Sequence, residues 1–219
     1  MPRFDDLAAD RAARLDTLAL ALAAEFRTVD EAAALARLDE LAVEVAAAAA
    51  GSNELDALIE VLGRQHGFAG ARDEYDHPDN SMLDLVLERG RGLPIALSVV
   101  YVETARRAGI ALDGVGLPGH YVVGQFPGGG AAPTLLDPFA GGVRLDASSA
   151  VTAASGSIRA WGAHETALRM LNNLVGSYTR RNDLGRAIRA AELRLELPLE
   201  RDRAGTLAAE LRGLRARLN

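Results

Sequence analysis

The 219-residue chain contains no cysteine. That absence excludes a sulfur nucleophile, a disulfide framework and any metal held by thiolates. Lysine is missing as well, all 24 basic residues being arginine, so a lysine Schiff base and a lysine acyl acceptor are excluded too. Together with abundant Ala, Gly, Leu and Asp, this usage reads as a GC-rich coding bias. Aromatic residues are scarce, at 5 % with a single Trp. The longest run of small apolar residues, 46–50, is far too short to span a bilayer. The first six residues are acidic where a signal peptide would be basic and then apolar. A net charge of −6 offers no basic footprint for nucleic acid or an anionic membrane. A globular, cytoplasmic protein with no nucleic-acid or membrane partner is the expectation, long enough for one domain and a small appendage.

What is present is ordered along the chain. Helical spacing of Leu7, Leu15, Leu18 and Leu22, then of Leu35, Leu38, Leu41 and Val45, then of Leu55, Leu58, Ile59 and Leu62 marks three helices within residues 5–66. Thr28 or Asp30 can cap the second and Ser52 with Asn53 the third. Residues 67–80 read as a loop rich in Gly, Asp, Glu and His, the first candidate functional surface. A short helix over 81–88, capped by Asn80 and Ser81, precedes a strongly apolar helix from Pro94 to about Ala108. Four short strands follow, at 111–116, 120–126, 133–137 and 142–145, separated by Gly and Pro turns. From about Thr166 three further helices carry Leu168 and Leu171, Leu184 and Ile188, and Leu207 and Leu211. Helices, then strands, then helices define an α+β protein. Three segments result: a helical region over 1–66, a core over 67–160 and a helical tail over 161–219 packed on that core.

The chemistry-bearing residues fall in a suggestive order. Pro94 opens the apolar helix, His120 heads a strand, and Asp137 precedes a proline. A nucleophile, a His and an Asp in that order can run acyl transfer, but Pro94 supplies no nucleophile and no main-chain N–H. A His120–Asp137 pair can equally tie two strands together without chemistry. Ser98, one turn beyond Pro94, is the available replacement nucleophile, although a Ser inside an apolar helix is usually bonded back to a carbonyl. His66, His77 and His164 with the acidic loop residues match no metal template, so no metal and no cofactor are expected. Gly92 and Gly119 are read as points of close backbone approach, and Trp161 as packing between core and tail.

Four stretches carry a resemblance: Tyr75-Asp76-His77-Pro78-Asp79-Asn80-Ser81-Met82-Leu83, Leu87-Glu88-Arg89-Gly90-Arg91-Gly92-Leu93-Pro94-Ile95-Ala96-Leu97-Ser98, Gly114-Val115-Gly116-Leu117-Pro118-Gly119-His120 and Leu136-Asp137-Pro138-Phe139-Ala140-Gly141-Gly142. They resemble the SirB1 family over roughly residues 30–200. The resemblance implies a papain- or transglutaminase-like core, one central helix on an antiparallel sheet, followed by tetratricopeptide-type helices. It places Pro94 where the catalytic Cys would stand, His120 at the base and Asp137 at the orienting carboxylate. It thus implies a catalytically inactive scaffold whose cleft, around Pro94, His120, Tyr121 and Asp137 with Asn80, Arg91 and Ser98, holds a peptide, protein or small ligand. The alternative is a hydrolase or acyltransferase using the His–Asp pair with water or Ser98.

Overall fold

The computed structural model describes residues 2–129, 131–146 and 158–218. Helices α1 (Phe4–Ala9), α2 (Leu15–Ala24) and α3 (Glu31–Ala49) open the chain, and α4 (Glu54–Leu58) runs on into a π-helical stretch, Ile59–Gln65. The first expected helix is therefore two. Asp10 Oδ1 accepts the Ala12 N–H at 2.9 Å, a local bond that competes with continued helix. The third expected helix changes its hydrogen bonding at Ile59, where a side chain on Gly63 would run into the Gly141 carbonyl. Asp30 caps α3 through the Ala33 N–H, and Asn53 caps α4 through the Leu55 N–H.

A 3₁₀ turn, Pro78–Ser81, precedes α5 (Leu83–Arg89). The N-cap of α5 is Met82, which corrects the expected Asn80 and Ser81. Asn80 lies inside the preceding turn, and its Nδ2 donates to the Glu74 and Tyr75 carbonyls at 3.0 and 3.3 Å. Two short strands, β1 (Ala69–Gly70) and β2 (Arg91–Gly92), pair in parallel and deliver the chain to α6 (Pro94–Arg107). Strands β3 (Asp113–Leu117), β4 (His120–Gln125), β5 (Thr134–Asp137) and β6 (Val143–Leu145) then form an antiparallel meander in that spatial order. Helices α7 (Ala163–Arg180), α8 (Leu184–Glu196) and α9 (Arg201–Ala216) follow, the first two joined through Asn182 at φ 57°.

Helix α6 lies on one face of the sheet. Alternation sends Tyr121 and Val123 of β4 and Leu136 of β5 into the cluster that holds Ile95, Leu97, Val100 and Tyr101. Val115, Leu117, Val122 and Leu135 form a separate cluster on the opposite face. Leu18, Leu22, Leu38 and Leu41 from the first helices and Leu168, Leu171 and Leu174 from α7 join the α6 cluster. Helices at both ends of the chain thus share one core with the sheet.

The C-terminal end of α6 is tied down by charge. Asp16 on α2 is fully buried and meets Arg107, whose Nη1 and Nε also reach Glu103 at 2.9 Å and Asp39 at 2.7 Å. Burial alone would raise Asp16, but the Arg107 hydrogen bond and charge prevail and hold its carboxyl below the usual range. Burial, then the negative charge of Asp16, push Glu103 above it. Asp16 therefore contributes stability that is complete above its unfolded pKa and is lost as pH falls through the lower folded value. Glu103 works in the opposite sense, because its proton is held more tightly in the folded chain. Arg107→Met takes the shared guanidinium from Asp16 and Glu103 and leaves them Arg14 and Arg106, and urea denaturation at about pH 7 should show a loss of about 2–3 kcal/mol. The deficit should shrink at about pH 4, where both carboxylates can take protons.

Candidate functional site

The His120–Asp137 pair forms. His120 Nε2 lies 3.0 Å from Asp137 Oδ2, and the side chains are 31 % and 14 % exposed. A carboxylate only accepts, so Nε2 carries the hydrogen and the neutral ring presents the Nδ1 lone pair outward. Nδ1 makes no hydrogen bond among the described residues. The other carboxylate oxygen, Oδ1, accepts the Phe139 N–H at 2.9 Å and the Ala140 N–H at 3.4 Å, which caps the turn Pro138–Ala140. One carboxylate therefore fixes both the imidazole and the turn that follows β5.

The Phe139 ring sits beside this pair. It meets the His120 ring edge-on at 6.3 Å and the Tyr75 ring at 5.8 Å, and it occupies the space a side chain on Gly70 would need. The β3–β4 turn that presents His120 is held from behind. Arg169 Nη2 on α7 donates to the Leu117 carbonyl at 3.1 Å and to the His120 carbonyl at 2.8 Å. Its guanidinium lies over the rings of Tyr121 and Trp161, which meet edge-on at 5.7 Å. Gly114 leaves room for the Tyr121 hydroxyl and Gly116 for the Trp161 ring. The glycines of the third motif are thus a socket for aromatic side chains. Gly119 serves the turn itself, at φ 70°, and not close approach, since nothing lies within 4 Å of its missing side chain. Gly92 does face a close neighbour, Val86.

The remaining expected residues are placed apart from solvent or are committed to the fold. Pro94 is the first residue of α6 and is buried, and no side chain caps that helix. Ser98 is 1 % exposed, and its Oγ makes no hydrogen bond, neither to His120 nor back to a helix carbonyl as its setting suggests. Tyr121 is buried with its hydroxyl 2.7 Å from Thr166 Oγ1, and burial pushes its phenol up to about 12. Arg91 is exposed and bonds the carbonyls of Gly67 and Gly90, while the Asn80 carbonyl accepts the Leu93 N–H at 2.8 Å. These two hold β1, β2 and the loop before α5 against the start of α6. His66 bonds Glu44 and Arg37, and His77 accepts the Asp79 N–H. Among the described residues no three His, Asp or Glu side chains gather as a metal site. A surface cleft of about 1000 Å³, lined by neither His120 nor Asp137, adjoins the turn that Asp137 caps and is walled by Ile59, Gly63, Arg64, Gly141, Gly142 and Arg144.

A central helix on an antiparallel sheet, with a His and an Asp paired where β4 begins and β5 ends, defines a mixed helix-and-sheet protein with a transglutaminase-like domain. Residues 32–176 match the sequence profile of the transglutaminase-like superfamily, and the chain belongs to that superfamily. Among similar proteins, a UPF0162 protein of Xylella fastidiosa is 37 % identical over 158 residues, covering 66 % of this chain and 56 % of the relative. A UPF0162 protein of Pseudomonas aeruginosa is 37 % identical over 112 residues, covering 49 % and 40 %. Human F-box only protein 21 is 38 % identical over 72 residues, covering 33 % of this chain and 12 % of that protein. The chain thus spans about half, or less, of the length of these curated relatives. No solved structure matches it. Among the described residues, no helix is long and apolar enough to cross a membrane.

Two substitutions test this construction. Gly116→Ala forces a methyl group into the Trp161 ring and should cost about 1–3 kcal/mol, read as a lower melting temperature and a shifted emission of the single Trp. Asp137→Ala removes the imidazole partner and the cap of the Pro138–Ala140 turn. It should cost about 1–2 kcal/mol and release the Nε2–H tautomer, visible in the ¹⁵N spectrum of the His120 ring.

Proposed function

We propose that this chain is a catalytically silent transglutaminase-like protein, a binding or regulatory scaffold for a peptide, a protein or a small ligand. Pro94 carries the reading. At the head of the central helix, where the resemblance puts the sulfur nucleophile, stands a buried residue with no nucleophilic atom and no N–H for an oxyanion. His120 and Asp137 remain as a paired remnant. Because Pro94, Ser98 and Tyr121 are buried, a ligand would be met by the exposed rim of the pair, with His120 at its centre.

The same reading takes the segments 1–66, 67–160 and 161–219 as helical region, core and tail, and takes α7–α9 as tetratricopeptide-like helices docked on the core. It places the protein in the cytoplasm, with a protein or peptide partner and without nucleic acid or membrane. The SirB1 family is the subgroup whose motifs the four stretches resemble.

One observation favours the second reading, a hydrolase or acyltransferase with water as nucleophile: His120 Nδ1 has no hydrogen-bond partner among the described residues, on a side chain that is 31 % exposed. Ser98 has no base in hydrogen-bond reach. Hydrolysis of activated esters and peptide amides by the wild-type chain and by His120→Ala separates the two readings. The scaffold reading expects equal, buffer-level rates. Turnover that His120→Ala abolishes would establish the enzyme instead.

A further inference from the structure

Two guanidinium groups beside the His120–Asp137 pair lack a carboxylate. Arg72 Cζ stands 5.7 Å from the centre of the Phe139 ring, and Arg72 makes no hydrogen bond or ion pair among the described residues, its neighbours Asp73 and Glu74 included. Arg169 uses only Nη2, for two main-chain carbonyls, so its charge also stands without an anion. Burial pushes its guanidinium below its ordinary value, against the opposing effect of the nearby Tyr121 and Tyr75 hydroxyls. Among the described residues most arginines do face a carboxylate, although several others, Arg91 among them, meet none within 4 Å. Arg64 faces Glu60 at 3.0 Å, Arg89 faces Asp79 at 3.2 Å, Arg144 faces Asp56 at 2.8 Å, and Arg180 faces Asp76. The carboxylate of the pair, Asp137, is already engaged by His120 and two N–H groups, and Asp73 and Glu74, which follow Arg72 in sequence, do not bond it.

The surface between the two cations is aromatic. Tyr75, 46 % exposed, leans edge-on against Phe139, which in turn meets His120. Planar guanidinium groups with free donors beside exposed rings are suited to carboxylates carried on a chain whose other side chains rest on those rings. We propose that the face made by Arg72, Tyr75, Phe139, His120 and Arg169 binds an acidic peptide segment, its carboxylates received by Arg72 and Arg169. This rests on the scaffold reading of the same site and names the chemistry of its ligand.

The test uses a fluorescein-labelled peptide of alternating Glu and Ala, with the Gln-Ala peptide as its uncharged twin, read by anisotropy against the full chain. Wild type should bind the Glu peptide and discriminate against the twin. Arg72→Gln and Arg169→Gln should each weaken it by about tenfold, the loss of one charge-assisted hydrogen bond, while Arg212→Gln on the outer surface of α9 leaves it unchanged. Arg72 is exposed, so Arg72→Gln decides the matter even if Arg169→Gln fails to fold. Equal affinity for the two peptides, no binding of either, or an undiminished affinity in Arg72→Gln overturns the proposal. Equal affinity leaves the scaffold reading standing. Cleavage of a peptide that depends on His120 removes that reading, while the Arg72 dependence still decides this one.

Discussion

The structure depends on the near-complete burial of one helix. Of the fourteen residues of α6, only Val102, Arg106 and Arg107 are not buried, and the helix is enclosed by α2, α3 and α5, by the sheet, and by α7. A helix apolar all round is stable only when covered on every side, so the elements before and after it are drawn into one core. Polar groups on such a helix must find partners on it or on the elements packed against it, or go without. Glu103 finds Arg106 and Arg107, whereas the hydroxyls of Ser98, Tyr101 and Thr104 find none. Each unmet hydroxyl costs about 1–3 kcal/mol, which the surrounding aliphatic burial must offset.

The position of His120 follows from that enclosure at one remove. Sheet and α7 both pack on α6, and where they meet, Arg169 reaches across to two carbonyls of the β3–β4 turn. Trp161 and Tyr121 fill the spaces that Gly116 and Gly114 leave open, so the strand cannot slide without expelling a ring. The imidazole is thereby fixed from its main-chain side by an arginine and from its ring side by a carboxylate. Neither restraint comes from α6 itself. The site is assembled by elements that α6 merely holds in place.

Much of this architecture was legible because it rests on local signals. Pro94 at a helix start, the 3.6-residue Leu spacing of the helices and the Gly- and Pro-bounded strands each act within a few residues, and the observed bounds fall within a few positions of the expected ones. The split of the first helix and the π-helical stretch turn on one Asx bond and on the fit of Gly63 to a turn almost eighty residues later, and only the former has a local cue. Long-range pairings were out of reach. Arg106-Arg107 looks like the ordinary basic finish of a helix, and nothing nearby says that Arg107 meets Asp16 on α2. Arg169 sits among the residues of an amphipathic helix with no sign that its guanidinium reaches two carbonyls of the β3–β4 turn. The His120–Asp137 pair could be read only because their order and flanking residues follow a known pattern.

A site of this kind that lacks its nucleophile still has useful physics. In a thiol enzyme the imidazole is committed to the sulfur, which fixes its proton and closes its outer nitrogen to other partners. On the proposed reading, which puts Pro94 in that position, His120 Nδ1 is free of a sulfur partner while Asp137 keeps the ring oriented. An oriented imidazole accepts a hydrogen bond when neutral and donates one when charged, so the same atom can meet an amide, a hydroxyl or a carboxylate. On the proposed scaffold reading, a geometry that in a thiol enzyme serves proton transfer would serve recognition. Its low conformational freedom is an advantage in both roles, because a group already held in place loses little entropy when a ligand arrives.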